Sequence, residues 1–226
     1  MMMNLFSTFD PSTSIKMSMN WMSMMLFMLF MPMFYWLMPN RKNMMIMNLM
    51  NKMNMEFKTL MNKKNFNLII LFITMFMIIM FNNLMGLLPY IFTSSSHLMF
   101  SLTLSMSLWI SLMLFGWMKN TKTMFMHLIP SGTPLLLTPF MVCIETISNI
   151  IRPISLAVRL TANMIAGHLL MSLLGNNLIN NNYLMMISLM MIQMMLMLFE
   201  LAVAMIQSYV FSILSTLYSN EVIYEK

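Results

Sequence analysis

One run of the chain, Pro134 to Leu174, is about forty residues of mostly apolar sequence with four ionisable groups set into it: Glu145, Arg152, Arg159 and His168. As a continuous helix it is about 60 Å long, against roughly 30 Å for the hydrocarbon core of a bilayer. It therefore either crosses twice or lies steeply tilted. Both arrangements carry charge into a medium where an arginine at the centre costs roughly 2.5 to 3.5 kcal/mol.

Arg152 and Arg159 are seven residues apart, about 700° of helical turn, so they share a face. Extending that face gives Glu145, Asn149, Arg152, Arg159 and Asn163, a polar seam on an apolar rod. His168 lies half a turn away from it. Two readings compete for such a seam: static ion pairs inside a helix bundle, and a pathway for charge. Glu145 is about 10 Å of helical rise from Arg152 and is at best a loose partner for it. Arg159 has no acid nearby on its own helix and cannot discard its proton. It needs a partner from another helix, another chain or water, which favours the pathway.

Composition fixes the setting of this run. The 226 residues are 60% hydrophobic and 8% charged, where a soluble domain carries roughly 25% charge. The chain is expected to be an all-α integral membrane protein with one membrane domain. Its net charge of +6 comes from short clusters between apolar runs, the pattern of the positive-inside rule and not of a nucleic-acid surface. Cys143, the only cysteine, lies in an apolar run, so neither a disulfide framework nor a thiolate metal site is expected. The forty methionines, with abundant Asn, Ile, Leu and Phe, suggest an AT-rich organelle gene that reads extra codons as Met. The opening stretch MMMNLFSTFDPSTSIK resembles neither a secretory signal nor an Arg-rich transit peptide, which fits synthesis inside the organelle that uses the protein.

In chain order, residues 1–20 are a polar lead with a turn signal at Asp10-Pro11. A first span is expected over 21–38, with Trp21, Tyr35 and Trp36 as interfacial anchors and a kink at Pro32. Residues 41–64 hold six of the twelve positive charges on a segment with Ile46, Leu49, Met50, Met53, Phe57, Leu60 and Met61 at helical spacing. They are expected to form an amphipathic surface helix. Spans two and three follow at 66–88 and 98–117, and His97 and His127 read as solvated loop residues. After the 134–174 stretch, GNNLINNNY at 175–183 is a turn. The run 184–218 again exceeds one perpendicular crossing, and Gln193, Glu200 and Gln207 recur in it every seven residues as a second seam. The basic segments 41–64 and 119–122 flank two spans and belong on one side. Taking each long stretch as one tilted crossing gives five spans, with the N-terminus outside and the C-terminus inside.

The strings IIRPISLAVRLTANMIAGHLL at 150–170 and ELAVAMIQSYVFSILSTLY at 200–218 resemble subunit a of the F-type ATP synthase in its mitochondrial form. The likeness runs from about His127 to Tyr218; the first third resembles the family only in its layout of spans. It implies a stationary, non-catalytic proton-channel subunit of the mitochondrial inner membrane, with its C-terminus in the matrix. Two long tilted helices would form an antiparallel hairpin against a rotating ring of c subunits, beside the other membrane and stator subunits. The family's essential arginine matches Arg159, its helix-five asparagine and histidine match Asn163 and His168, and its last-helix acid and glutamine match Glu200 and Gln207. The implied partners are lipid, protons and these subunits, with no cofactor and no nucleic acid.

In an antiparallel hairpin, residues at one level have position numbers of constant sum. Arg159 with Gln207 and Glu145 with Glu221 both give 366, and His168 with Glu200 gives 368. The resemblance implies two offset aqueous half-channels, and at these levels His168 and Glu200 are expected to line the outer one and Glu145 and Glu221 the inner one, with Arg152 a second guard or a partner for Glu145. The turn near residue 179 predicts a sum near 358 instead, so an asymmetric hairpin or a late start of the last helix is expected. A haem- or quinone-binding subunit would need paired histidines on one pocket. A secondary transporter that uses Arg159 for an anion would usually show internal repeats. Neither pattern is visible.

Overall fold

The computed structural model describes residues 4–14, 16–31, 38–61, 66–129, 134, 136–178 and 182–223. They hold seven α-helices and no strand: α1 (Leu26–Phe30), α2 (Arg41–Leu60), α3 (Phe66–Gly86), α4 (Leu98–Lys119), α5 (Thr121–His127), α6 (Thr138–Asn177) and α7 (Tyr183–Ile223). Two 3₁₀ segments, Leu5–Phe9 and Met19–Met25, precede α1, and a third, Ser94–Ser96, precedes α4. Four helices are long and apolar enough to cross a bilayer, within α3, α4, α6 and α7. Of the expected first span, Met19–Met25 and α1 are seen; residues 32–37, including Pro32, Tyr35 and Trp36, lie outside the described residues.

The long stretch is one helix. α6 runs 40 residues and stays helical through Pro153, so the double-crossing alternative gives way to a single inclined rod of about 60 Å. A proline at its first turn, where no N–H is needed, starts it at Thr138-Pro139. α7 is its antiparallel partner, 41 residues long.

The apolar face of α2 packs on α3. Met53, Phe57 and Met61 recur every four residues and are buried against Ile69, Phe72, Ile73, Phe76, Met77 and Met80, with Ile46, Leu49, Met50 and Leu60 at the margin. Helix α3 in turn makes its most extensive contact with α7. Along α7 five of the buried residues are small and hydroxylated: Ser208, Ser212, Ser215, Thr216 and Ser219. Each hydroxyl donates to the carbonyl three residues back, as Ser208 does to Met205 at 2.7 Å and Thr216 to Ile213 at 2.7 Å. The hydrogen bonds stay inside the helix, and the small side chains admit a close neighbour.

The two ends of the bundle are distinct. At one end Asn220 donates to the Leu60 carbonyl and Asn120 to that of Val222. The basic segments around α2 and α5 therefore meet the end of α7. At the opposite end the 3₁₀ lead Leu5–Phe9 lies against the start of α4, because His97 Nε2 bonds the Phe9 carbonyl at 2.9 Å. A carbonyl only accepts, so that nitrogen carries the hydrogen. The half-buried His97 ring also packs on Trp21 and Phe92, 5.2 Å from each. The reading of His97 as a solvated loop residue is thus corrected: it clamps the lead to the bundle. The side chain of His127 lies outside the described residues.

Candidate functional site

The ionisable and amide groups of α6 and α7 fall at three levels along the hairpin. At the lead end, a cavity of about 430 Å³ lies between α6 and α7, lined by Asn163, Gly167, His168, Glu200 and Gln207 with Leu87 from the end of α3. Glu200 is buried, and neither of its carboxylate oxygens finds a hydrogen-bond partner; nor does Nε2 of His168. The carboxyl group occupies space that a side chain at residue 167 would fill. A Cβ added to Gly167 would stand 2.7 Å from Glu200 Cδ and from Oε1. Sequence reasoning passed over Gly167, although a glycine inside a helical run usually has a packing reason.

A second, wider cavity of about 780 Å³ opens beyond it, formed by the lead, the 87–93 turn, α6 and α7. His168 and Leu87 border both cavities. Gln193, the first residue of the second seam, lines the wide one, and Glu200 and Gln207 line the narrower one. Tyr90, in the turn that shapes this mouth, has a left-handed backbone with φ of 67°, a conformation that side chains other than glycine rarely take.

At the middle level the space closes. Arg159 and Gln207 face a slit shared with Leu156, Leu160, Val210 and Phe211 that leaves no room for a water molecule. Arg159 is exposed on the outer face of α6 and makes no ion pair among the described residues. Ser155, Ala162, Asn163 and Ala166 are exposed around it. A long cation thus stands on a strip of short side chains.

At the far end Arg152 joins both acids. Its Nη1 donates to Glu221 Oε2 at 2.9 Å and its Nη2 lies 3.6 Å from Glu145 Oε1. The guanidinium also stands 5.3 Å from the Tyr218 ring. Together with Asn149 these groups line a cavity of about 300 Å³. The loose Glu145–Arg152 pairing expected from the spacing is what is seen, an ion pair at 3.6 Å, while the close hydrogen bond goes to Glu221 on α7. Side chains on a helix lean toward its N-terminus, and a long arginine at 152 covers most of the rise back to 145.

The structure therefore brings together His168 with Glu200, Arg159 with Gln207, and Glu145 with Arg152 and Glu221. Asn163 lines the lead-end cavity one turn from Arg159. The Gly167–Glu200 contact has a position sum of 367, between the two values read from the polar pairs. Helix ends at 177 and 183 would give 360. The two helices are therefore offset along their length, and from Tyr183 to Phe199 none of the α7 residues is buried.

Comparison with known proteins fits this arrangement. Residues 17–220 match the family model described as ATP synthase A chain. ATP synthase subunit a of Drosophila melanogaster is 56% identical over 223 residues, covering 98% of this chain and all of the fly protein. ATP synthase subunit a of the mosquito Aedes aegypti is also 56% identical, over 225 residues, with the same coverage of both chains.

Proposed function

The chain belongs to the ATP synthase A chain family, and on that premise we propose that it is the stationary, non-catalytic proton channel of the mitochondrial F-type ATP synthase. It would sit in the inner membrane with α6 and α7 against a ring of c subunits, its lead end toward the intermembrane space and its C-terminus in the matrix. The observation that carries this reading is the placement of Arg159: without an ion pair among the described residues, exposed among short side chains, and level with a narrow slit between two cavities that each hold at least one carboxyl group.

The chemistry follows from that geometry. Protons enter the wide cavity and pass His168, whose imidazole borders both lead-end cavities and can take a proton on one nitrogen while releasing one from the other. Glu200, close by on α7, hands the proton to a carboxylate of the ring. Arg159 stays cationic in any surroundings, so it attracts each deprotonated ring carboxylate and repels a proton that would slip straight across. The slit beside it holds no water to conduct one. After nearly a full turn of the ring the proton leaves through the cavity of Asn149, Glu145 and Glu221. Each proton crossing the membrane potential releases about 2.3 kcal/mol per 100 mV, which drives the rotation.

Arg159→Ala tests this directly. It should abolish proton-driven ATP synthesis while leaving the complex assembled, since the exposed side chain makes no ion pair or hydrogen bond among the described residues. Retained synthesis in a fully assembled variant would refute the reading. Exchanging Arg159 and Gln207, which share one slit, should do less harm than Arg159→Gln alone.

A further inference from the structure

The wide lead-end cavity has a wall that the mechanism above does not use. Its outer rim is the N-terminal lead, with Ser7, Thr8, Phe9, Asp10 and Ser12 facing the same space as His168. The lead is not loosely draped. His97 holds the Phe9 carbonyl, the Phe9 ring meets His168 edge-on at 6.4 Å between centroids, and Asn20 donates to the Asp10 carbonyl at 3.3 Å. Asp10, the next residue after Phe9, is thereby fixed at the lip.

We propose that Asp10 is a proton-collecting carboxylate at the mouth of this cavity, and that the lead is a working wall of the uptake path. The inference rests on the reading of the His168–Glu200 cavity as that path. Asp10 is fully exposed, and its Oδ1 accepts from the Ser12 N–H at 3.1 Å and the Ser12 hydroxyl at 2.8 Å. These donors hold its carboxyl below the usual range. It therefore stays ionised at any pH near neutrality and acts as a fixed charge, not as a link in the relay. The other groups facing the cavity leave it dominant: α6 presents His168, α7 the uncharged Gln193, and the 87–93 turn the phenol of Tyr90. His97 is engaged behind the lead. Lys16, the described cation of the lead, does not line the cavity, so among the described residues Asp10 is the one unpaired negative charge at its mouth, where the walls of a cleft focus the field and concentrate protons.

The test uses the assembled synthase in liposomes, with pH varied on the lead side and proton flow followed at low salt. Asp10→Asn should match the wild type at pH 6, where protons are plentiful, and fall about threefold behind it at pH 8, as expected for a unit charge several ångströms from the path. The deficit should vanish at 1 M salt, where the screening length is about 3 Å, and Asp10→Glu should restore the wild-type profile. Superimposable profiles at low salt would overturn the proposal. So would a deficit independent of pH and salt, because that would mark a purely structural lead. Glu200→Gln in the same assay separates the two layers. Flow retained there would refute the uptake path itself, whereas flow lost there with Asp10→Asn silent would refute only the collector.

Discussion

The two ends of the α6–α7 hairpin carry similar groups and treat them in opposite ways. At the tail end, Glu145 and Glu221 share one arginine, and all three side chains are about one third or more exposed. At the lead end, Glu200 is 8% exposed with both oxygens unpartnered, beside a histidine whose Nε2 is also unpartnered. Burying an unpaired polar group costs stability, so the lead end bears a cost that the tail end avoids. On the function proposed above, Glu200 is left free to take up and pass on a proton, whereas Glu145 and Glu221 line the exit cavity in the field of Arg152, which keeps them ionised.

This contrast can be broken by substitution. The largest effect is expected from Glu200→Leu, which should abolish proton flow while the thermal midpoint of the assembled membrane sector stays level or rises, because an orphaned carboxyl is replaced by an apolar side chain. A large drop in that midpoint would show Glu200 to be structural. Next comes Gly167→Val, whose Cβ would overlap the Glu200 carboxyl. Displacing a reacting group by about 1 Å costs on the order of 100-fold, so flow should fall by about that factor. Adding Glu200→Asp, one methylene shorter, should recover part of it. The smallest effect belongs to Arg152→Ala, which should lower stability by about 1 kcal/mol, as for a partly exposed pair, and slow flow only a few-fold. Denaturant midpoints and proton-flow rates on the same preparations distinguish the two patterns. If Arg152→Ala were as damaging to flow as Arg159→Ala, the tail-end group would be a guard and not a tie.

Much of this layout was legible in the sequence because it depends on local periodicity. Run length gave the long helices, and the seven-residue spacing of Gln193, Glu200 and Gln207 gave one face of α7. Constant position sums gave the levels at which the two helices face each other. What escaped depends on contacts between distant segments. His97 reaches the Phe9 carbonyl across 88 positions, and no local pattern signals such a reach. The turn midpoint misled because the two helices are offset along their length, which only a contact such as Gly167 with Glu200 reveals. Gly167 was visible as a residue but not as a space, since only the position of Glu200 gives its missing side chain a meaning.

The uneven burial of α7 has a mechanical consequence. From Glu200 to Val222, α7 is bedded in its neighbours through Ala204, Ser208, Phe211, Ser212 and Ser219; from Tyr183 to Phe199 none of its residues is buried. Resistance to a sideways load is therefore concentrated in the stretch that carries Glu200 and Gln207, and the stretch before it is the more compliant.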